Sequence, residues 1–325
     1  MTHRPVSGTL RAARSPAAMN APSPTADRMD QTRKGLAAAL GAYLIWGLFP
    51  LYWKLLATVP AVQTMAHRTV WCALLVALWL GFREGYGWLR ELPRRTVGML
   101  LISALLIACN WWLYIWAVTA GHIVETSLGY FINPLLSVLL GVFVLRERLR
   151  PLQWLAVAIA AIGVIYMTLQ AGRLPWIALA IAASFGGYGL WRKLMPVSAV
   201  QGLAVESGLL FLPALIALLW FEHKGSGTFG HHGLHTDLLL AFGGFVTALP
   251  LVWFAYGARR IPLSTVGLLQ YITPTLQLMC GVLVFHEPFL PMHWVGFGLI
   301  WSALAVYAME GLWRMRRGTA QPGIP

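Results

Sequence analysis

The chain has little charge for its length. Only 11% of its 325 residues are Asp, Glu, Lys or Arg, against about 25% in an ordinary soluble domain. That excludes a disordered protein and an ordinary cytosolic enzyme. Cysteine is equally sparse: Cys72, Cys109 and Cys280 lie far apart in apolar stretches, and no CxxC occurs. A disulfide framework and a cysteine-based metal site are therefore not expected. There is no GxxxxGK[ST], so the chain does not itself hydrolyse ATP. There is no HExxH, no GxSxG and no carboxylate pair suited to glycosidic chemistry.

What remains is apolar. Hydrophobic residues make up 58% of the chain, including 16 Trp, yet the formal net charge is +13. A nucleic-acid partner is excluded, because no single soluble core could bury so much apolar surface. The composition is that of a polytopic membrane protein. Apolar stretches long enough to span a bilayer recur at 35–57, 62–82, 96–118, 123–145, 151–171, 174–192, 202–221, 237–258, 264–285 and 291–312. The expected fold is all-α, with ten transmembrane helices. Runs this long are not the alternating strands of a barrel. Residues 1–33, rich in Ala, Pro, Ser and Arg, read as a disordered extension; Met29 is a second candidate start, with 1–28 dispensable. With ten helices and both termini cytoplasmic, twenty of the 24 Lys and Arg fall in cytoplasmic segments. Only Arg173 and Lys224 face the other side, as the positive-inside rule demands.

Sliding the chain by 140 residues aligns Leu128, Ile132, Pro134, Gly141, Glu147, Pro151 and Trp154 with Leu268, Ile272, Pro274, Gly281, Glu287, Pro291 and Trp294. A shift of 139 pairs Gly47 with Gly186 and Lys54 with Lys193. Five helices per unit is an odd number, so the second copy is expected upside down. The units are 34–172 and 173–313, followed by a cytoplasmic tail, 314–325. Inverted repeats point to a secondary transporter with its site near the midplane. The expected function is movement of a small metabolite or drug-like molecule by alternating access, with proton coupling. The alternatives are a membrane-embedded enzyme, for which only the His-rich loop offers chemistry, and a non-transporting sensor. The expected partners are a small-molecule substrate and lipid, with the chain a monomer or homodimer; no cofactor or metal is expected.

Particular runs carry a resemblance: WGLFPLYWK from Trp46, NWWLYIWAV from Asn110, ETSLGYFINPL from Glu125, RERLRPLQWLA from Arg146, PLSTVGLLQYITPT from Pro262 and FHEP from Phe285. Together they cover most of 29–312, and the chain resembles the RarD-type members of the EamA family, in the drug/metabolite transporter superfamily. The resemblance implies ten helices in two EamA repeats, a bacterial inner-membrane location and transport without ATP. The family's Gly-Glu pair after the fourth and ninth helices stands here as Arg146–Glu147 and His286–Glu287.

Polar groups inside the spans are the functional candidates. Trp46, Asn110, Tyr130, Asn133, Gln270 and Tyr271 are expected to line the cavity, with helices 1, 3, 4, 6, 8 and 9. Asn133 and Thr273, like Phe131 and Tyr271, would face it from equivalent positions. Pro134 and Pro274 are expected to break helices 4 and 9. Lys54, His67 and Arg68 suggest a basic outer vestibule that attracts an anionic group. Glu206, an isolated carboxylate, is the first candidate for proton coupling, with His67 as partner; its alternative role is an ion pair with Lys193. Glu125 is expected to cap its helix or to form a gate with Arg68 or Lys54. Glu147 and Glu287 are expected to bond loop amides. The loop 222–236, with His223, His231, His232 and His235, reads as flexible.

Overall fold

A computed structural model describes residues 24–119, 123–170, 176–286 and 291–318. Among these the chain is helical throughout: α1 (Pro24–Gly47), α2 (Phe49–Leu55), α3 (Ala61–Arg83), α4 (Arg94–Thr119), α5 (Ile123–Phe143), α6 (Pro151–Gln170), α7 (Trp176–Leu194), α8 (Ala199–His223), α9 (Leu234–Ala258), α10 (Leu263–Gln270), α11 (Ile272–Met279) and α12 (Pro291–Gly318). A π-helical turn, Cys280–Val284, extends α11. Seven helical segments are long and apolar enough to cross a membrane, and Gly129–Phe143 and Trp294–Glu310 are shorter apolar helices.

The ends of these helices follow local chemistry. Pro50 sits in the first turn of α2, where a missing N–H costs nothing; its ring cannot continue α1, and the axis is offset at Leu48. Ser198 and Gln201 form a reciprocal capping box that starts α8. Pro274 cannot bond the carbonyl four residues back, and the break between α10 and α11 falls at Tyr271. The first helix begins earlier than composition suggests: residues 24–33 continue α1 rather than belonging to an irregular extension. Likewise α12 runs to Gly318, past the expected boundary at 313.

Pro134 overturns an expectation. It lies inside α5, which is unbroken from Ile123 to Phe143. Its carbonyl faces Gly267, where a Cβ would come within 2.5 Å of it. The close approach of α10 at a glycine accommodates this stretch without a break.

The surface inverts the pattern of a soluble protein. Phe82, Leu105, Leu169 and Leu212 point outward and are exposed, which suits lipid. The interior mixes small residues with aromatics: Ala39, Ala42, Tyr43, Tyr188, Phe254 and Ala258 are fully or almost fully buried in one cluster. Hydrogen bonds define two ends of the bundle. At one, Gln31 meets Arg260, Gln201 meets Glu84, and Arg150 meets Glu310. At the other, the α2–α3 turn lies beside loop 224–233, where Tyr52 donates to the Leu239 carbonyl and Gln63 donates to the Ser226 carbonyl.

Candidate functional site

A cavity of about 240 Å³ lies in the middle of the bundle and extends toward the α2–α3 turn. α1, α2, α3, α4, α5, α7, α9, α10 and α11 all contribute to its wall. Trp46, Asn110, Tyr130, Asn133 and Gln270 line it. Asn110 donates to the Ile181 carbonyl and to Ser184 Oγ, both at 3.0 Å, and so also ties α4 to α7. Thr273 lines the wall and donates to the Tyr43 carbonyl at 3.1 Å. Gln277 donates to the Trp46 carbonyl at 3.2 Å.

Tyr271 does not reach the cavity. It is fully buried in the apolar cluster that contains Phe131 and Phe297. The reason is helical geometry: at about 100° per residue, two residues place Tyr271 on the face opposite Thr273. Three residues return to nearly the same face, so Gln270 joins Thr273 just as Tyr130 joins Asn133. Phe131 is turned away for the same reason as Tyr271.

The expected basic vestibule does not form. Arg68 is buried in the cavity wall, its guanidinium 4.4 Å from the Trp111 ring centroid and 5.7 Å from that of Trp53. His67, one residue and 100° away, turns from the cavity, stays buried and stacks on Phe229 at 5.2 Å. Lys54 is exposed, with Nζ 4.1 Å from the Phe285 ring. Glu125 starts near the head of α5, but its side chain lies outside the described residues, as does Glu287.

Glu206 is neither isolated nor paired with Lys193. It is 1% exposed. Its Oε1 lies 3.2 Å from Arg192 Nη1 and accepts from Ser103 Oγ at 2.5 Å; Oε2 accepts from the Tyr188 hydroxyl at 3.2 Å. Arg192 also donates to the Ala199 carbonyl at 2.8 Å. Gly202 leaves space for the guanidinium, since any Cβ there would collide with it. This network lies on the side of the cavity away from the α2–α3 turn. Lys193, 100° further round α7, donates instead to the carbonyls of Ala258 and Ile261 and lies 3.9 Å from Glu147.

Glu147 does bond loop amides. It accepts from the backbone N–H of Leu263 at 2.6 Å and of Ser264 at 2.9 Å, and from Ser264 Oγ at 2.6 Å. A carboxylate thus satisfies the first N–H groups of α10. The His-rich loop is not loose: Gln63 accepts from Thr228 N and donates to Ser226 O, Asp237 accepts from Gly230 N, and His231 pairs with Glu222 at 2.8 Å. Among the described residues no group of three or more His, Cys, Asp or Glu is placed to hold a metal ion.

Arg192, Trp111, Phe185 and Thr247 escaped the sequence reading. The repeat shift would have found others: Phe185 is 139 residues from Trp46, and Thr247 is 140 from Ile107.

An all-helical bundle with lipid-facing apolar flanks and a central cavity that sets a few polar side chains in an aromatic wall defines a membrane protein of the transporter class. The model of the EamA-like transporter family matches residues 33–169 and again 174–309. The chain belongs to that family, within the drug/metabolite transporter superfamily. It is 47% identical over 294 residues to a protein named RarD from Streptomyces exfoliatus, covering 90% of this chain and 93% of that one. It is 48% identical to an uncharacterized transporter of Pseudomonas aeruginosa, covering 90% and 98%. RarD of Escherichia coli K12 is 40% identical, covering 88% and 98%. A solved crystal structure, 19% identical, shares the fold with a TM-score of 0.64 over 85% of this chain and 96% of that one.

Proposed function

We propose that this chain is a secondary transporter that carries a small molecule across the bacterial inner membrane by alternating access. α1 with α2, and α10 with α11 and the π turn, each count as one crossing, making ten. The repeats are 34–172 and 173–313, inverted relative to one another. The observation that carries this reading is the cavity wall. Trp111 and Leu251, Tyr130 and Gln270, and Asn133 and Thr273 each stand 140 residues apart, and all six line the cavity. A site built from equivalent positions of two halves lies on their pseudo-two-fold axis, where inverted-repeat transporters hold substrate.

Packing supports the same symmetry. α5 packs on α7 as α11 packs on α1, and α3 packs on α9 as α8 packs on α4. Gly47 faces Leu276, and its mate Gly186 faces Leu136, the mate of Leu276. Arg146 and His286, again 140 apart, have φ of 55° and 53°. These are the left-handed positions that favour glycine, which accounts for the Gly in the family's usual Gly-Glu pair. Most Lys and Arg of the helix ends gather with the start of α1 and the end of α12 at one end of the bundle, which supports a cytoplasmic assignment for that end.

Glu206 and Arg192 act in this reading as a latch on the cytoplasmic side of the cavity. Protonation of Glu206 removes the ion pair and couples opening to a proton gradient. Proteoliposomes holding the purified chain test this. A pH gradient is expected to drive substrate flux, and Glu206→Gln, less stable but reconstituted as folded protein, to abolish the driven component. Full pH-driven flux in that variant would refute the coupling role, and no flux for any solute would refute transport.

A further inference from the structure

We propose that the cavity takes a small organic anion, whose oxyanion is received by Arg68. The proposal rests on the reading of this cavity as the site of the transported molecule. Arg68 is 7% exposed, yet no hydrogen bond or ion pair to it is found among the described residues, and its Nε is buried without a partner. The faces of Trp111 and Trp53 lie beside it, with the neutral Cys72, Tyr114 and Tyr130 side chains nearby. Ring faces favour a cation, but they leave the forked N–H donors unused. Guanidinium offers five such donors in a plane that matches a carboxylate. A buried cation left without a counter-charge is costly, and an anionic ligand supplies one.

The rest of the wall agrees. No Asp or Glu lines the cavity among the described residues, and Arg68 is its sole fully charged member. Glu206, the buried carboxylate beside the cavity, is already committed to Arg192, Ser103 and Tyr188. Asn133 Oδ1, Gln270 Oε1 and Thr247 Oγ1 are buried without partners in the same wall. Amide oxygens in want of donors suit a ligand that also carries a hydroxyl or amino group. Trp46, Trp53 and Trp111 offer flat apolar faces to the body between. At about 240 Å³ the cavity is smaller than the roughly 300–1,000 Å³ of drug-sized sites, which fits a single-ring molecule.

Binding of benzoate, phenylacetate and 4-hydroxybenzoate to the purified full chain, each compared with its neutral amide, tests the proposal. Quenching of tryptophan fluorescence and thermal stabilisation are the readouts. The acids are expected to bind at least about tenfold more tightly than their amides, because a charge-assisted forked pair is lost in the amide. 4-Hydroxybenzoate is expected to bind best of the three. Arg68→Gln is expected to erase the preference for acids, and Arg68→Lys to keep it in weakened form. The acid–amide comparison in the unaltered protein needs no variant, so a folding defect in Arg68→Gln does not obscure the result. Equal binding of acids and amides, an undiminished preference in a folded Arg68→Gln, or no binding of any acid overturns the proposal. Acids that bind through Arg68 but never cross a proteoliposome membrane would instead refute transport and leave the anion site standing. Flux of neutral solutes indifferent to Arg68 would do the reverse.

Discussion

Replacing Arg192 by Met, with Glu206 left in place, is expected to destabilise the protein by about 3–5 kcal/mol, the usual cost of stranding one partner of a buried ion pair. The structure argues for the full cost. Both side chains are 2% exposed and their contact is 3.2 Å. Ser103 and Tyr188 would still donate to Glu206, but neutral donors do not replace a counter-charge. Glu206→Met should cost a similar amount, because it leaves the guanidinium with no counter-charge, only the neutral Ala199 carbonyl at 2.8 Å and Met195 Sδ at 3.8 Å. Removing both charges together behaves differently. The double Met variant is expected to lie within about 1 kcal/mol of the parent, or above it, since an apolar pair of similar volume avoids desolvating two ions. The coupling energy should therefore be at least about 5 kcal/mol, above the roughly 0.5–3 kcal/mol that contacting residues usually show. Reversible unfolding of the four proteins in mixed detergent micelles measures the cycle. A double variant whose loss equals the sum of the single losses would refute the reasoning, because the two residues would then act independently.

The left-handed backbone at Arg146 and His286 predicts that Arg146→Gly and His286→Gly each stabilise the chain by about 1 kcal/mol, the penalty of a side chain there less the flexibility glycine adds; unfolding midpoints check this. Gly47→Ala should destabilise by about 1–3 kcal/mol through overpacking, since its Cβ would lie 2.7 Å from Leu276 Cβ, and Leu276→Ala in the same chain should restore part of the loss. Glu147→Ala should cost about 1.5–3 kcal/mol, the scale of hydrogen bonds to a charged group, and should increase hydrogen exchange at the first amides of α10.

The helices were the legible part of the chain. Hydropathy placed the start of α5 and of α6, and the end of α9, at the residues where the structure has them, because lipid forces each apolar run to satisfy its own backbone. The first helix was misjudged at its start, since charged residues from Asp27 to Lys34 do not forbid a helix, only its burial in lipid. The pairing of Asn133 with Thr273 was legible from the repeat alone. Its neighbours Phe131 and Tyr271 were not assigned to the right face, because a repeat shift aligns positions without saying which way each side chain turns.

Composition and spacing by themselves determined the class of protein, the helical runs and the repeated unit, and singled out Trp46, Asn110, Tyr130, Asn133 and Gln270 as cavity candidates. Tertiary structure alone decided which charges meet. Adjacent residues on a helix point about 100° apart, so Arg192 reaches Glu206 while Lys193 reaches the carbonyls of Ala258 and Ile261. By the same geometry Arg68 enters the cavity wall and His67 leaves it for Phe229. A sequence lists these pairs as neighbours of equal promise; the packing of α3 against α9 and of α7 against α9 separates them.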